Sequence, residues 1–298
     1  MSTCESSRTG LGNSASDTVE RWPMSSALGH RWREPAIEGA LLGAFMLSAS
    51  AFTTLLEHPS SPLRSAIAPT MRRMLLGIAM GLTAIVIVYS PWGRRSGAHI
   101  NPAVTLAMLR LGRIAREDAA WYVPAQLAGA VAGMLLASAV LGPLLAAPAV
   151  HYVVTRPGMQ GILAAFAAEA LISSLLLTCV LESNASPRLG RYTGLVAGAL
   201  VATFIVCEAP LSGMSMNPAR SFGSAVAALD WTSLWVYFAA PPLGMLGAAQ
   251  LFLWRRGSAK GVCAKLRPHR AGEPCQLCAS VDVPASLTSN AGTIHGLL

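Results

Sequence analysis

Two stretches of this 298-residue chain carry one signature: Ser96-Gly97-Ala98-His99-Ile100-Asn101-Pro102-Ala103 and Ser212-Gly213-Met214-Ser215-Met216-Asn217-Pro218-Ala219, identical at five of eight positions. Asparagine ahead of Pro-Ala starts a helix. Its side-chain oxygen caps an orphan backbone N–H, and proline suits the first helical position because an N–H there has no partner to lose. Each triplet thus opens a helix, Ile100–Leu111 and Met216–Leu229, too short to cross a bilayer. The asparagine amides offer N–H donors, each helix N-terminus adds about half a positive charge, and Arg220 directly follows the second triplet. Such a set binds the oxygen of a neutral molecule and repels cations. A single triplet would be ordinary capping; two at matching places are not.

Half-length helices need longer ones to hold them. A hydrocarbon core about 30 Å thick takes about 20 apolar residues per helix. Six runs qualify: Ala36–Leu56, Met74–Trp92, Trp121–Leu141, Gly161–Leu181, Tyr192–Glu208 and Leu234–Trp254. Each short segment follows the second run of a set of three, giving two repeats, about 35–147 and 161–254. An odd number of spans per repeat inverts one copy relative to the other. The short helices then enter from opposite faces and their N-termini meet near the midplane, where non-helical backbone is tolerated only if buried in protein or lining a watery cavity. The Ser-Gly loops are expected to turn carbonyl oxygens toward that cavity. Glu38 and Glu169 occupy matching places in the first span of each repeat. Intramembrane carboxylates can relay protons or brace structure, and the symmetric placement favours bracing. Runs such as Gly129-Ala130-Val131-Ala132-Gly133 and Gly194-Leu195-Val196-Ala197-Gly198-Ala199 let helix backbones approach closely in lipid. The expected fold is an all-α membrane protein with six transmembrane helices and two re-entrant half-helices.

Composition points the same way. Charged residues make up 12% and hydrophobic ones 53%, whereas a soluble domain carries about 25% charged residues. The net charge of +8 reads as topology and needs no nucleic-acid partner. Arg8, Arg21, Arg31, Arg33, Arg94, Arg95, Arg110, Arg113, Arg116, Arg188, Arg191, Arg255, Arg256, Lys260, Lys265, Arg267 and Arg270, seventeen of the 22 basic residues, lie on the side of the termini. Arg64, Arg72, Arg73, Arg156 and Arg220 do not. The positive-inside rule then puts both termini in the cytoplasm, and the chain in the plasma (cell inner) membrane. Residues 1–33 lack the basic-then-apolar order of a cleavable signal, and with 255–298 they read as disordered tails. Cys263, Cys275 and Cys278, near His269 and His295, form a weak zinc pattern for which reduced thiols are the alternative. Cys179 and Cys207 lie within spans and read as packing residues.

The motifs Ser-Gly-Ala-His-Ile-Asn-Pro-Ala-Val-Thr and Ser-Gly-Met-Ser-Met-Asn-Pro-Ala-Arg-Ser-Phe-Gly, set in an inverted repeat, closely resemble those of the aquaporin and glycerol-facilitator family (major intrinsic proteins), over about Glu34 to Trp254. The resemblance implies a passive, cofactor-free channel for water and small neutral solutes, assembled as a homotetramer with one pore per subunit. It implies Asn101 and Asn217, with Pro102, Ala103, Pro218 and Ala219, as a midplane barrier to ions and protons. Arg220 becomes the outer gate, its donors held by backbone carbonyls. His99 is a vestibule-lining residue or, alternatively, a hydrogen-bonded packing residue. Glu38, Glu169 and Gln126 brace the loops, and Met80, Ile205 and Met214 complete the outer constriction. Strict water channels usually have a histidine where Ile205 falls. Ser221 and the pair Tyr237-Phe238 lean instead toward the water-channel pattern. Water is the favoured solute, with glycerol kept open.

Two rivals share parts of this pattern. Secondary transporters also use inverted repeats and broken helices, but the midplane here offers amides where coupled transport needs an ionisable relay. An intramembrane enzyme finds no His-Glu-x-x-His or Ser/His arrangement in the spans.

Overall fold

The computed structural model describes residues 32–266 and Leu277. In chain order the main elements are α1 (Arg33–Glu57), α2 (Pro69–Tyr89), the half-helix α3 (Pro102–Arg110), α4 (Arg116–Leu141), α5 (Gly161–Asn184), α6 (Thr193–Cys207), the half-helix α7 (Pro218–Ala228) and α8 (Leu234–Arg256). Six helices among the described residues are long and apolar enough to span a bilayer. The six expected spans and two half-helices are therefore present. Several boundaries move by three to five residues: α2 begins at Pro69 rather than Met74, α4 at Arg116 rather than Trp121, and α5 ends at Asn184 rather than Leu181. At its other end α2 stops at Tyr89 rather than Trp92, because Pro91 drives Ser90 into extended backbone (ψ 156°). Residues Pro91–Ser96 form a separate short helix, whose start is capped by Ser90 Oγ accepting from Gly93 N–H at 2.9 Å.

The outer surface is what a membrane requires. Leu75, Ile78, Leu82 and Val86 recur every three or four residues along α2 and are exposed, a stripe that lipid or a neighbouring subunit covers at no hydrophobic cost. Trp32, Trp92, Trp121, Trp231, Trp235 and Trp254 are all more than half exposed and lie at span ends, as interfacial anchors do.

The principal packing pairs are α1 with α4, α5 with α8, and α2 with α6. The first two are the same pair in each repeat, and the third joins the repeats. Half-helix α7 packs on α4, and α3 packs on α8, so each half-helix nests against the opposite repeat. Backbone proximity explains the glycines. A Cβ on Gly129 would stand 2.0 Å from the Gly39 carbonyl oxygen, and one on Gly133 2.4 Å from that of Gly43. With glycines four residues apart on both helices, one smooth face meets another. Gly81 and Gly198 do the same between α2 and α6, a Cβ on Gly198 falling 2.6 Å from the Gly81 oxygen.

The disorder expected from residue 255 onward does not hold for 255–266. Helix α8 continues to Arg256, and Ala259, Val262, Cys263, Ala264 and Leu266 are buried against the bundle. Small and apolar side chains give this part of the polar tail something to bury. Residues 1–31, 267–276 and 278–298 lie outside the described residues.

Candidate functional site

The loops ahead of α3 and α7 are backbone copies of each other. Positive φ angles fall at Gly97, Ala98 and Ile100 in one, and at Gly213, Met214 and Met216 in the other. Non-glycine residues in that region are strained and need outside support. Glu38 and Glu169 supply it. Glu38 Oε1 accepts from Ser96 Oγ (2.7 Å) and His99 N (3.0 Å), and Oε2 from Ile100 N (2.5 Å) and Gln126 Nε2 (3.0 Å). Glu169 Oε1 accepts from Ser212 Oγ and Ser215 N, both at 2.6 Å, and Oε2 from Met216 N at 2.7 Å. Both carboxylates are buried and act as multi-point acceptors. Gln126 Nε2 also reaches Thr105 Oγ1 at 3.2 Å.

A second pair of braces is not legible from the motif. Tyr122 Oη donates to the Ser96 carbonyl at 2.7 Å, and Tyr237 Oη to the Ser212 carbonyl at 2.6 Å. Aligning the repeats pairs the two tyrosines, since each lies near the start of the third span of its half about 25 residues after the motif serine, but it does not show what their hydroxyls meet.

The asparagines cap their half-helices as expected. Asn101 Oδ1 accepts from Ala103 N at 2.8 Å; Asn217 Oδ1 accepts from Ala219 N at 3.0 Å and Arg220 N at 3.2 Å. Their amide nitrogens cross. Asn101 Nδ2 donates to Met216 O at 2.7 Å, and Asn217 Nδ2 to Ile100 O at 2.8 Å. Each side chain thus spends one N–H locking the opposite loop, and its amide carries a second.

That cavity, about 170 Å³, is lined by Asn101, Asn217, His99, Met80, Ile205, Met214 and Arg220 among others. The residues proposed for the constriction therefore share one wall system with the motif asparagines. One detail differs: Arg220 Nη1 is buried with no hydrogen-bond partner, so the expected set of carbonyl acceptors does not reach that nitrogen. His99 is buried and fully engaged, with Nδ1 3.1 Å from Thr105 Oγ1 and Nε2 2.7 Å from the Ala264 carbonyl. A carbonyl only accepts, so Nε2 carries a proton.

On the face away from the termini, Asp230 accepts from Arg156 Nε (2.6 Å) and Thr232 N (3.1 Å) and lies 3.1 Å from His151 Nε2. Burial disfavours its charge, but hydrogen bonds from His151, Thr232 and Arg156 outweigh this and hold the carboxyl below its ordinary range. No cluster of three candidate metal ligands occurs among the described residues. Cys263 is buried, while Cys275, Cys278, His269 and His295 lie outside those residues.

The profile of the Major intrinsic protein family matches residues 39–252. The chain belongs to the major intrinsic protein family. Curated relatives include the probable aquaporin NIP7-1 of Arabidopsis thaliana (35% identical, over 57% of this chain and 60% of the relative). Two more are aquaporin NIP1-3 of Oryza sativa (39%, over 58% of each) and aquaporin TIP4-4 of Zea mays (38%, over 57% and 67%). The chain thus spans about 60% of the length of the first of these. The aquaglyceroporin from Plasmodium falciparum shares the fold, with a TM-score of 0.58 at 20% identity over 74% of this chain and 95% of the other.

Proposed function

We propose that the protein is a passive channel for water that also admits small uncharged solutes such as glycerol, and that it excludes ions and protons. The observation that carries this reading is the pair of half-helix N-termini, locked by reciprocal Asn101 and Asn217 hydrogen bonds, with both asparagines lining the same cavity as Arg220. Two N-terminal dipoles and a guanidinium make a barrier to cations. Two fixed donors bind a passing water through its oxygen and turn its hydrogens away, which interrupts a proton wire. Met80, Ile205 and Met214 support a tolerant constriction. They are apolar and two are flexible thioethers, so they contact the carbon side of a polyol while Arg220 serves its hydroxyls.

The basic excess on the face bearing the termini supports a cytoplasmic location for that face in the plasma (cell inner) membrane. The exposed aliphatic stripe on α2 is compatible with the homotetramer implied by the sequence resemblance. Stopped-flow light scattering on one proteoliposome preparation tests the proposal. Sucrose should cause fast shrinkage above protein-free vesicles, and glycerol should cause shrinkage followed by fast re-swelling. Saturable, gradient-driven uptake would favour the transporter reading instead.

A further inference from the structure

Beyond the end of α8 the chain turns back at Gly257 and Gly261, both with positive φ, and crosses the mouth on the face bearing the termini. The crossing is anchored from two sides. At the end of α5, Asn184 Oδ1 accepts from Cys263 N at 2.8 Å while its Nδ2 donates to Lys265 O at 2.9 Å and Cys263 O at 3.3 Å. On the other side lie the loops flanking α3. Arg113 Nε donates to Val262 O at 2.6 Å, His99 Nε2 to Ala264 O at 2.7 Å, and Leu266 N to Gly97 O at 3.0 Å. Asn184 and His99 are themselves buried.

Leu266 is the residue this backbone delivers. It packs with Leu41, Ile87, Val88, Ala98, Val180 and Ala197, which come from α1, α2, the first loop, α5 and α6. Four spans and the re-entrant loop thus converge on Leu266, which lines the same cavity as Asn101 and Asn217. A leucine there offers water no hydrogen bond, and the Ala264 carbonyl occupies the imidazole N–H that His99 would otherwise present to the vestibule.

We propose that residues 259–266 are a plug that shuts the pore of their own subunit from the face bearing the termini, so that conduction requires the segment to leave. This rests on the channel reading above and adds its regulation. The plug is built into the chain, and its grip on Asn184 and Arg113 sets the open fraction.

The test measures osmotic water and glycerol permeability per reconstituted protein for the full chain and for a chain ending at Ser258. Two full-length variants are added: Leu266→Asp, which places a charge in the apolar mouth, and Asn184→Ala, which removes the clasp. The truncated chain and both variants should conduct about tenfold faster than the full chain, the change expected when a closed-to-open ratio of about ten is abolished. The glycerol-to-water ratio should stay the same, because the constriction around Arg220 is untouched. Equal permeability in the full chain and in any of these proteins that retains native helicity and elutes as one species would overturn the plug while leaving the channel intact. Failure of every protein to pass water or glycerol would remove the channel reading, and the plug with it. If the truncated chain does not fold, Leu266→Asp and Asn184→Ala decide alone.

Discussion

Arg220 sits on the cavity wall with Nη1 buried and unpartnered. A guanidinium N–H left without an acceptor binds any oxygen that passes, and the charge repels cations over the same distance. Replacing Arg220 with Val should remove both effects, raise the glycerol-to-water permeability ratio several-fold and admit larger polyols. An unchanged ratio would take Arg220 out of the gate. The tyrosine braces make a different prediction. Tyr122→Phe deletes the bond to the Ser96 carbonyl, in a loop whose positive φ angles need external support, and should cost about 1 kcal/mol. The readout is a lower melting temperature in detergent with the solute ratio unchanged. The asparagines, Arg220 and the two glutamates were legible in the sequence because a polar group at membrane depth has few possible roles. Tyr122 was not, because an aromatic near a span end reads equally as an interfacial anchor, and only the fold shows its hydroxyl meeting a carbonyl 26 residues earlier.

At the scale of helices, backbone contact decides the packing. Gly129 faces Gly39 so closely that a Cβ would overlap the carbonyl oxygen. Gly129→Val should therefore push α1 from α4 and cost about 2 kcal/mol or more, seen as a lower melting temperature and a smaller monodisperse fraction on size exclusion. The same substitution at Gly247, where a Cβ meets nothing within 4 Å, should leave both unchanged and serves as the control. Glycine-rich faces could be read along the chain, but not which face meets which. That choice follows from the inverted repeat folding back so that α3 packs on α8 and α7 on α4. The end of α2 was misplaced for a local reason, since hydropathy continues to Trp92 while Pro91 breaks the helix.

For the molecule as a whole, the face away from the termini is held by Asp230, which gathers Arg156 and His151 from the long connection between repeats to the turn joining α7 and α8. The folded carboxyl lies below its ordinary value, so its contribution is fully present above the unfolded pKa of about 4 and is lost as pH falls through the folded value. Asp230→Asn should melt below the wild type at neutral pH, with the gap narrowing as pH drops below about 4; a constant gap would contradict the ionic origin. The effect should be modest, because Arg156 is half exposed and screened by solvent. The sequence by itself determined the membrane class, the inverted repeat, the capping asparagines and the matched positions of the two carboxylates, all of which follow from local chemistry or from a period. Only the tertiary structure decided the reciprocal Asn101–Asn217 lock, the tyrosine braces and the fate of residues 259–266. That last segment has the composition of a loose tail, and its burial depends on a pocket assembled from four spans and a loop far away in the chain, which no local pattern encodes.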